Sequence, residues 1–519
     1  METPSLPSLS LYSSSSSTTR WNGAGVEDIC DPLTSQWLRS IYKGAFETIL
    51  GSWMGKYSNP FAFGDHSSAE ISVSISHVCE QLDSWMDEEY DLDFGSPSTR
   101  RTTSTQIAQS LNLTIHAYAA RWLPVVESTA DAEIVRKLWR AARRDMLKVI
   151  NRPSYRSMCT LLLFALTPIP VGLEEEEEIE GISGQVCVHA ALQQIQQLRA
   201  RQRSLQFNGA QVNLTAPPTP GHGSSPRTMT TANFITYENI AYWAALTFDT
   251  SASLTLSCRP LLSSGLYGLE SESWWRMVKT CREIFQQSSS HWLLEPELTD
   301  DRANRIIAAA SAWKLVVWKL TANMKEALRD GHDEPEVSRA FSAVVEGIDL
   351  WNSTYRDLLA ACQRRILFFQ QETKLRWYVC VMHYHLSILI GVDTLAASER
   401  QDLLAQFSAK RTEAESWVLN CLQFGLNNKY TISRDEISAT VPIMAIDPYA
   451  HHVVAAVKLM QQAIDRDFAA LKISADAYND LVSTLTQALQ HLPASSKSVQ
   501  LARSKAQSQP LYSQTSIGG

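Results

Sequence analysis

The chain has 519 residues, 45% of them hydrophobic and 19% charged, which is a globular composition large enough for one big core or two ordinary domains. Its 46 basic and 54 acidic residues give a net charge of −8, which excludes a strongly basic nucleic-acid binder for the chain as a whole. The nine cysteines are odd in number, scattered and never spaced C-x-x-C. That usage predicts reduced, buried thiols of the cytosol or nucleus and excludes a cysteine-rich zinc module within these residues.

Residues 1–25 are Ser/Thr-rich and predict disorder; Met1–Ser17 has neither a basic stretch nor an apolar run, so no secretory leader is expected. From Ile29 onward apolar residues recur at helical spacing, and a first helical region is expected over 26–207. Ile71–Val78 alternates like a strand, but Ile71, Ile75, Val78, Leu82 and Met86 share a helical face, and the longer window predicts a helix. Phe94–Thr105 reads as a polar loop. Met158–Val171 is the longest apolar run, but with Thr160, Thr167, Pro168 and Pro170 it is too short to cross a bilayer, so no membrane partner is expected.

Glu174–Glu178 precedes a helix over Gln185–Ser204 that ends in Arg199, Arg201 and Arg203, a charge order suited to the helix dipole. Residues 208–231 carry Pro217, Pro218, Pro220, Gly221, Gly223 and Pro226 and predict a loop, in which Thr219-Pro220 and Ser225-Pro226 are weak candidate phosphorylation sites. A second helical region is expected over 232–492. Within it Ala303–Leu328 steps by three or four residues, with Asp300 or Asp301 to cap it and Gly331 to stop it, and Val337–Ile366 continues the pattern. Tyr478, Leu481, Leu485 and Leu489 mark the last helix, and 493–519 reads as a disordered tail. No run of strands appears, so the expected class is all-α, a large multi-helix bundle.

Catalytic signatures are thin. There is no G-x-S-x-G elbow and no glycine-rich loop after a strand. His383-x-His385 places its two rings about 200° apart on a helix, and with His451-His452 it reads as satisfied or surface histidine. Asp300-Asp301-Arg-Ala-Asn304 and Asn479-Asp480-Leu-Val-Ser483-Thr-Leu-Thr-Gln487 resemble the two magnesium motifs of all-α terpene cyclases. Asn304 and Gln487 replace carboxylates that hard magnesium wants, so a cyclase-like enzyme is the alternative reading, as is a helical interaction scaffold. Trp274, Trp275, Trp313 and Trp318 are candidates for a pocket wall. Asp83–Phe94 interleaves acidic residues with Trp85, Tyr90 and Phe94, the pattern of a disordered activation segment or of a helix end with an acidic loop. Arg136, Lys137, Arg140, Arg143 and Arg144 suit an exposed basic helix face.

The most specific stretch is Ile240–Gly265. Its aromatic-rich helix, Asp249, Ser253 and closing Arg259-Pro260 resemble the signature of the middle homology region in fungal zinc-cluster transcription factors, with Trp243 and Phe248 among the matching positions. Cys258 stands where the family usually has Gly. Arg152-Pro-Ser-Tyr155 and the helix to Leu166 look like an earlier family helix, and the resemblance covers roughly residues 140–392. It implies a non-catalytic, all-α regulatory domain of a nuclear transcription regulator. Protein partners, by dimerisation or with another factor, and a small-molecule effector are expected, and contact with DNA only indirectly. No cofactor is expected within this chain; zinc would enter only through an N-terminal six-cysteine cluster, which these residues lack, either because the gene model starts late or because the regulator is headless. Physically, Arg259 is expected to turn back on Asp249 as a charge-assisted pair that closes the helix onto the bundle.

Overall fold

The computed structural model describes residues 25–62, 72–90, 97–123, 132–179, 184–209, 231–255, 258–262, 272–293, 298–434 and 437–507. The Ser-rich start, the Pro/Gly segment with its two phosphorylation candidates, and the end of the tail lie outside the described residues. The described chain is all-α apart from one small hairpin.

The first half contributes α1 (Pro32–Ile41), α2 (Thr48–Met54), α3 (Ile75–Tyr90), α4 (Pro97–Ala120), α5 (Ala132–Val149), α6 (Tyr155–Leu166), the short α7 (Glu175–Ile179) and α8 (Gly184–Gly209). The second half contributes α9 (Ala232–Thr255), α10 (Ser273–Ser289), α11 (Asp300–Arg329), α12 (Glu334–Arg365), α13 (Gln371–Ala397) and α14 (Gln401–Asn427). These are followed by strands β1 (Lys429–Arg434) and β2 (Ile437–Pro442), then α15 (Ala450–Ala469), α16 (Ala475–Gln490) and α17 (Lys497–Gln507).

Helix α6 packs on α3, α4 and α8, while α11 packs on α12 and α13, and α13 on α14. Helix α9 lies between the two groups, against α3 and α8 on one side and α11 on the other. Its sequence explains that position: Ile240–Leu246 is apolar on every face, and a helix apolar all round belongs in an interior. Buried apolar residues of both halves form one continuous core.

The local signals of α11 act close to where the sequence puts them. Thr299, one residue before Asp300, is the N-cap and accepts from the Arg302 N–H. Gly331 adopts φ +68, the left-handed stop that only glycine enters without strain. Asp333 then caps α12, so the two long helices turn back on each other. Tryptophan indoles tie the layers together: Trp313 donates to the Gly347 carbonyl at 2.9 Å and Trp318 to that of His383 at 2.8 Å. Trp243 donates to the Trp53 carbonyl at 3.1 Å, so these three buried N–H groups find acceptors on neighbouring elements.

Helix α13 is long and apolar enough to cross a membrane, yet 78% of its most apolar window is buried inside the bundle. The core satisfies its apolar character.

Several boundaries differ from expectation. Residues 72–74 lie outside the helix: Val73 N–H donates to the Gly51 carbonyl, and α3 starts two residues later. The expected loop at Phe94–Thr105 is largely the first turns of α4, started by Pro97. The tail forms α17, held because the Arg503 guanidinium donates to the carbonyls of Leu489, Gln490 and Leu492. The unforeseen hairpin pairs Lys429 with Pro442 and Thr431 with Thr440, and Tyr430 and Ile432 alternate inward. Six-residue strands are too short to stand out from a helical background.

Gly51 is a close approach. A Cβ there would overlap the Val73 carbonyl oxygen and come within 2.8 Å of Ser72 Oγ. Gly51→Ala is therefore expected to cost about 1–3 kcal/mol, the usual range for overpacking. A urea midpoint unchanged from the parent would show that the segment moves aside freely.

Candidate functional site

The signature residues form one structural unit, though not by the expected pair. The Asp249 carboxylate accepts the backbone N–H groups of Leu261 at 2.9 Å and Leu262 at 3.0 Å, just past Arg259-Pro260. Arg259 instead leaves the bundle. It is 68% exposed and pairs with Asp330 at 2.5 Å and Glu326 at 3.7 Å at the end of α11. The Asp249–Arg259 pair is thus corrected: Pro260 has no N–H, so the next two amides are the free donors, and they claim the carboxylate. The charge facing Asp249 is Lys319, fully buried with no hydrogen-bond partner and pushed by burial down to about 8. Burial also raises Asp249 above the usual carboxylate range, against the pull of the two amides and Lys319. Ser253 returns its hydroxyl to the Asp249 carbonyl at 2.7 Å, and Trp243 stacks edge-on against Trp274. These roles are structural.

Phe248 begins a different surface. With Ser251, Ala252, Leu254 and Thr255 of α9 it forms one wall of a half-open cavity of about 810 Å3. The end of α6, the start of α8, the last turns of α13 and the start of α15 complete it, with Arg121 and Trp139 from the first half. Its size and mixed lining lie within the range of small-molecule sites. None of Trp274, Trp275, Trp313 and Trp318, the sequence-based candidates for a pocket wall, lines this cavity; all four are buried core.

Behind the cavity stands a chain of polar groups that sequence separation hides. His383 Nε2 lies 3.1 Å from Asp447 Oδ2 and 3.4 Å from His452 Nδ1, and His452 Nε2 lies 3.4 Å from Ser251 Oγ. A carboxylate only accepts, so the His383 Nε2 proton points at Asp447. A protonated His383 Nε2 has no lone pair to take a proton from His452 Nδ1, so the His452 proton is assigned to Nε2, directed at Ser251. That assignment follows from the network. It gives Ser251 a donor where a nucleophile would need a base. Burial drives His452 well below the usual imidazole range, helped by His451, His383 and Lys314, and brings His451 down to about 4. His383 is likewise lowered by burial, although Asp447 pulls it back. The His383 and His385 rings do diverge: His385 stacks on Trp417 of α14, 5.4 Å between centroids.

Arg121 lines the cavity as a buried cation. It is 2% exposed, and its guanidinium hydrogen bonds run through Nη2: to Tyr118 Oη at 2.8 Å and to the carbonyls of Pro448 and Asp447 at 3.1 and 3.4 Å. Its Nε has no partner, and neither has the hydroxyl of Tyr449, whose ring stacks on His452. Neither residue stood out in the sequence. The nearest signal was Asp447-Pro-Tyr449 running into His451-His452.

The remaining sequence candidates are structural in position. Asp300 accepts from the Gln370 N–H at 2.9 Å and from Thr373 Oγ1 at 2.7 Å, while Asn304 holds Thr373 and Arg376. The acidic motif therefore joins the starts of α11 and α13. Gln487 donates to Ser483 on its own helix, and no group of three potential metal ligands occurs among the described residues. Asp83 caps α6 through the Tyr155 and Arg156 N–H groups and pairs with the Arg156 guanidinium at 2.7 Å. Trp85 is half-buried and packs on Phe234 and Tyr237 of α9; the Tyr90 side chain and Phe94 lie outside the described residues. On the basic face, Arg140 binds Glu177 at 2.7 Å and Arg136 binds Glu133, which balances much of its charge locally.

No protein-family model matches the chain, and no curated protein matches it. Among solved structures, one titled "Circular tandem repeat protein with novel repeat topology and enhanced subunit contact surfaces" aligns over 92% of this chain and 93% of its own at 10% identity. The TM-score of that alignment is 0.24, below the level of a shared fold.

Proposed function

We propose that this chain is the helical regulatory region of a nuclear transcription regulator of the fungal zinc-cluster type. It acts without catalysis, through protein partners and a small-molecule effector, and meets DNA only indirectly. The observation that carries the reading is the double placement of α9. The helix with the family-like signature is the buried spine between the two halves of the bundle, and its last turns wall the cavity at Phe248, Ser251 and Thr255. Occupancy of the cavity would bear directly on how the two halves pack, which is what a ligand needs to shift an equilibrium between conformations.

The test is a fusion of the full chain to a heterologous DNA-binding domain in a reporter cell. Output is expected to depart at least threefold, up or down, from that of the DNA-binding domain alone. Thr255→Trp, which fills the cavity from its rim, is expected to change that output. Fusion protein present in the nucleus with reporter output equal to the control would defeat the reading.

A further inference from the structure

The cavity lining brings several donors and a single carboxylate, Asp393. Arg121 brings a buried guanidinium with an unpartnered Nε, and Tyr449 an unpartnered buried hydroxyl. Ser251 receives the His452 N–H, so its own hydroxyl proton is free to point outward. Lys325 and Lys458 add positive charge to the lining. The opposing charge on the lining is Asp393, which faces Lys325, whose ammonium already donates to the Leu254 carbonyl at 2.8 Å. His451, held low by burial, adds no charge at neutral pH.

We infer that this cavity binds an organic carboxylate with a flat apolar body, its carboxylate held by Arg121, Tyr449 and Ser251. The inference deepens the regulatory reading and rests on it for the consequence of binding. A buried guanidinium with an uncommitted donor at Nε attracts an anion strongly, because little water competes. A phosphate dianion fits less well: a single buried cation would leave its second charge unpaired in an apolar surround. The walls select the rest of the ligand. Trp139 and Phe164 meet at 6.0 Å and Phe248 and Tyr449 at 6.4 Å, so two aromatic pairs flank the space and favour a planar ring system.

The test is isothermal titration of the purified full chain with three isosteric probes: 2-naphthylacetate, 2-naphthylacetamide and 2-(2-naphthyl)ethylammonium. The acid is expected to bind at least tenfold tighter than the amide, and the amine weakest. Tyr449→Phe and Ser251→Ala are each expected to weaken the acid three- to tenfold and to leave the amide within twofold. Both keep the packing, so they remain informative if Arg121→Met, which also breaks the Tyr118, Asp447 and Pro448 contacts, fails to fold. Equal affinity for acid and amide, preference for the amine, or no binding of any probe would overturn the inference. Binding of the acid with no change in the reporter assay would sink the regulatory reading and leave the ligand class standing. A reporter response with no binding would do the reverse.

Discussion

Asp249→Ala is expected to lower the unfolding free energy by about 3–5 kcal/mol, the usual cost of removing one member of a buried charge pair. Three groups lose their partner together. The Leu261 and Leu262 amides lose their acceptor, and Lys319, fully buried, loses the negative charge that faces it. A buried donor left without a partner costs about 1–3 kcal/mol, so the amides alone bring the loss into this range. Against a typical total of about 5–15 kcal/mol the effect is severe. Asp249→Asn is expected to fall between, since its amide offers one oxygen to two N–H groups. Arg259→Ala, at the exposed end of the same signature, is expected to leave the midpoint nearly unmoved, because its partners Asp330 and Glu326 lie near the surface end of α11. Urea unfolding of the three variants decides the matter. Equal losses for Asp249→Ala and Arg259→Ala would mean that the two residues act as a pair after all.

Acid is expected to destabilise the protein well before its carboxylates are exhausted. His385 and His451 titrate near 6.5 in the unfolded chain, while burial holds them at about 3 and about 4 in the fold. Between those values the unfolded state binds more protons than the folded one, so stability rises with pH and falls as pH drops below 6.5. At pH 5 each histidine kept neutral costs about 2 kcal/mol relative to neutral pH. Buried Asp83 and Asp249 and half-buried Glu415, all raised by desolvation, act in the opposite sense as pH falls through their folded values. A single-residue difference isolates the histidine effect. His385 packs flat against Trp417 and its Nδ1 has no hydrogen-bond partner, so phenylalanine replaces it without breaking a bond there. His385→Phe is expected to remove about 2 kcal/mol of the stability lost between pH 7 and pH 5. An identical loss in parent and variant, measured by urea unfolding at the two pH values, would refute the assignment of a neutral His385.

The helices were legible wherever their signals are local. Ala303–Leu328 and Val337–Ile366 declared themselves by spacing, and Gly331 by its backbone freedom, because each depends on neighbours within a few residues. Boundaries failed where distant contacts override local composition. The Ser/Gln-rich tail forms α17 because Arg503 reaches three carbonyls at the end of α16, and the polar run after Pro97 joins α4 because its helix continues into the core at Ile107 and Leu111.

What the sequence determined by itself is the all-α class and the course of the long helices, since apolar period and helix termini are written in adjacent residues. The tertiary structure alone decided the partners. Arg259 meets Asp330, 71 residues away, rather than Asp249, because the two amides after Pro260 occupy that carboxylate first. Arg121, Ser251, His383 and Tyr449 come from four separate segments, and no spacing along the chain encodes their meeting. Their juxtaposition follows from the packing of α9 between the two halves, and packing is a property of faces that only the folded bundle brings together.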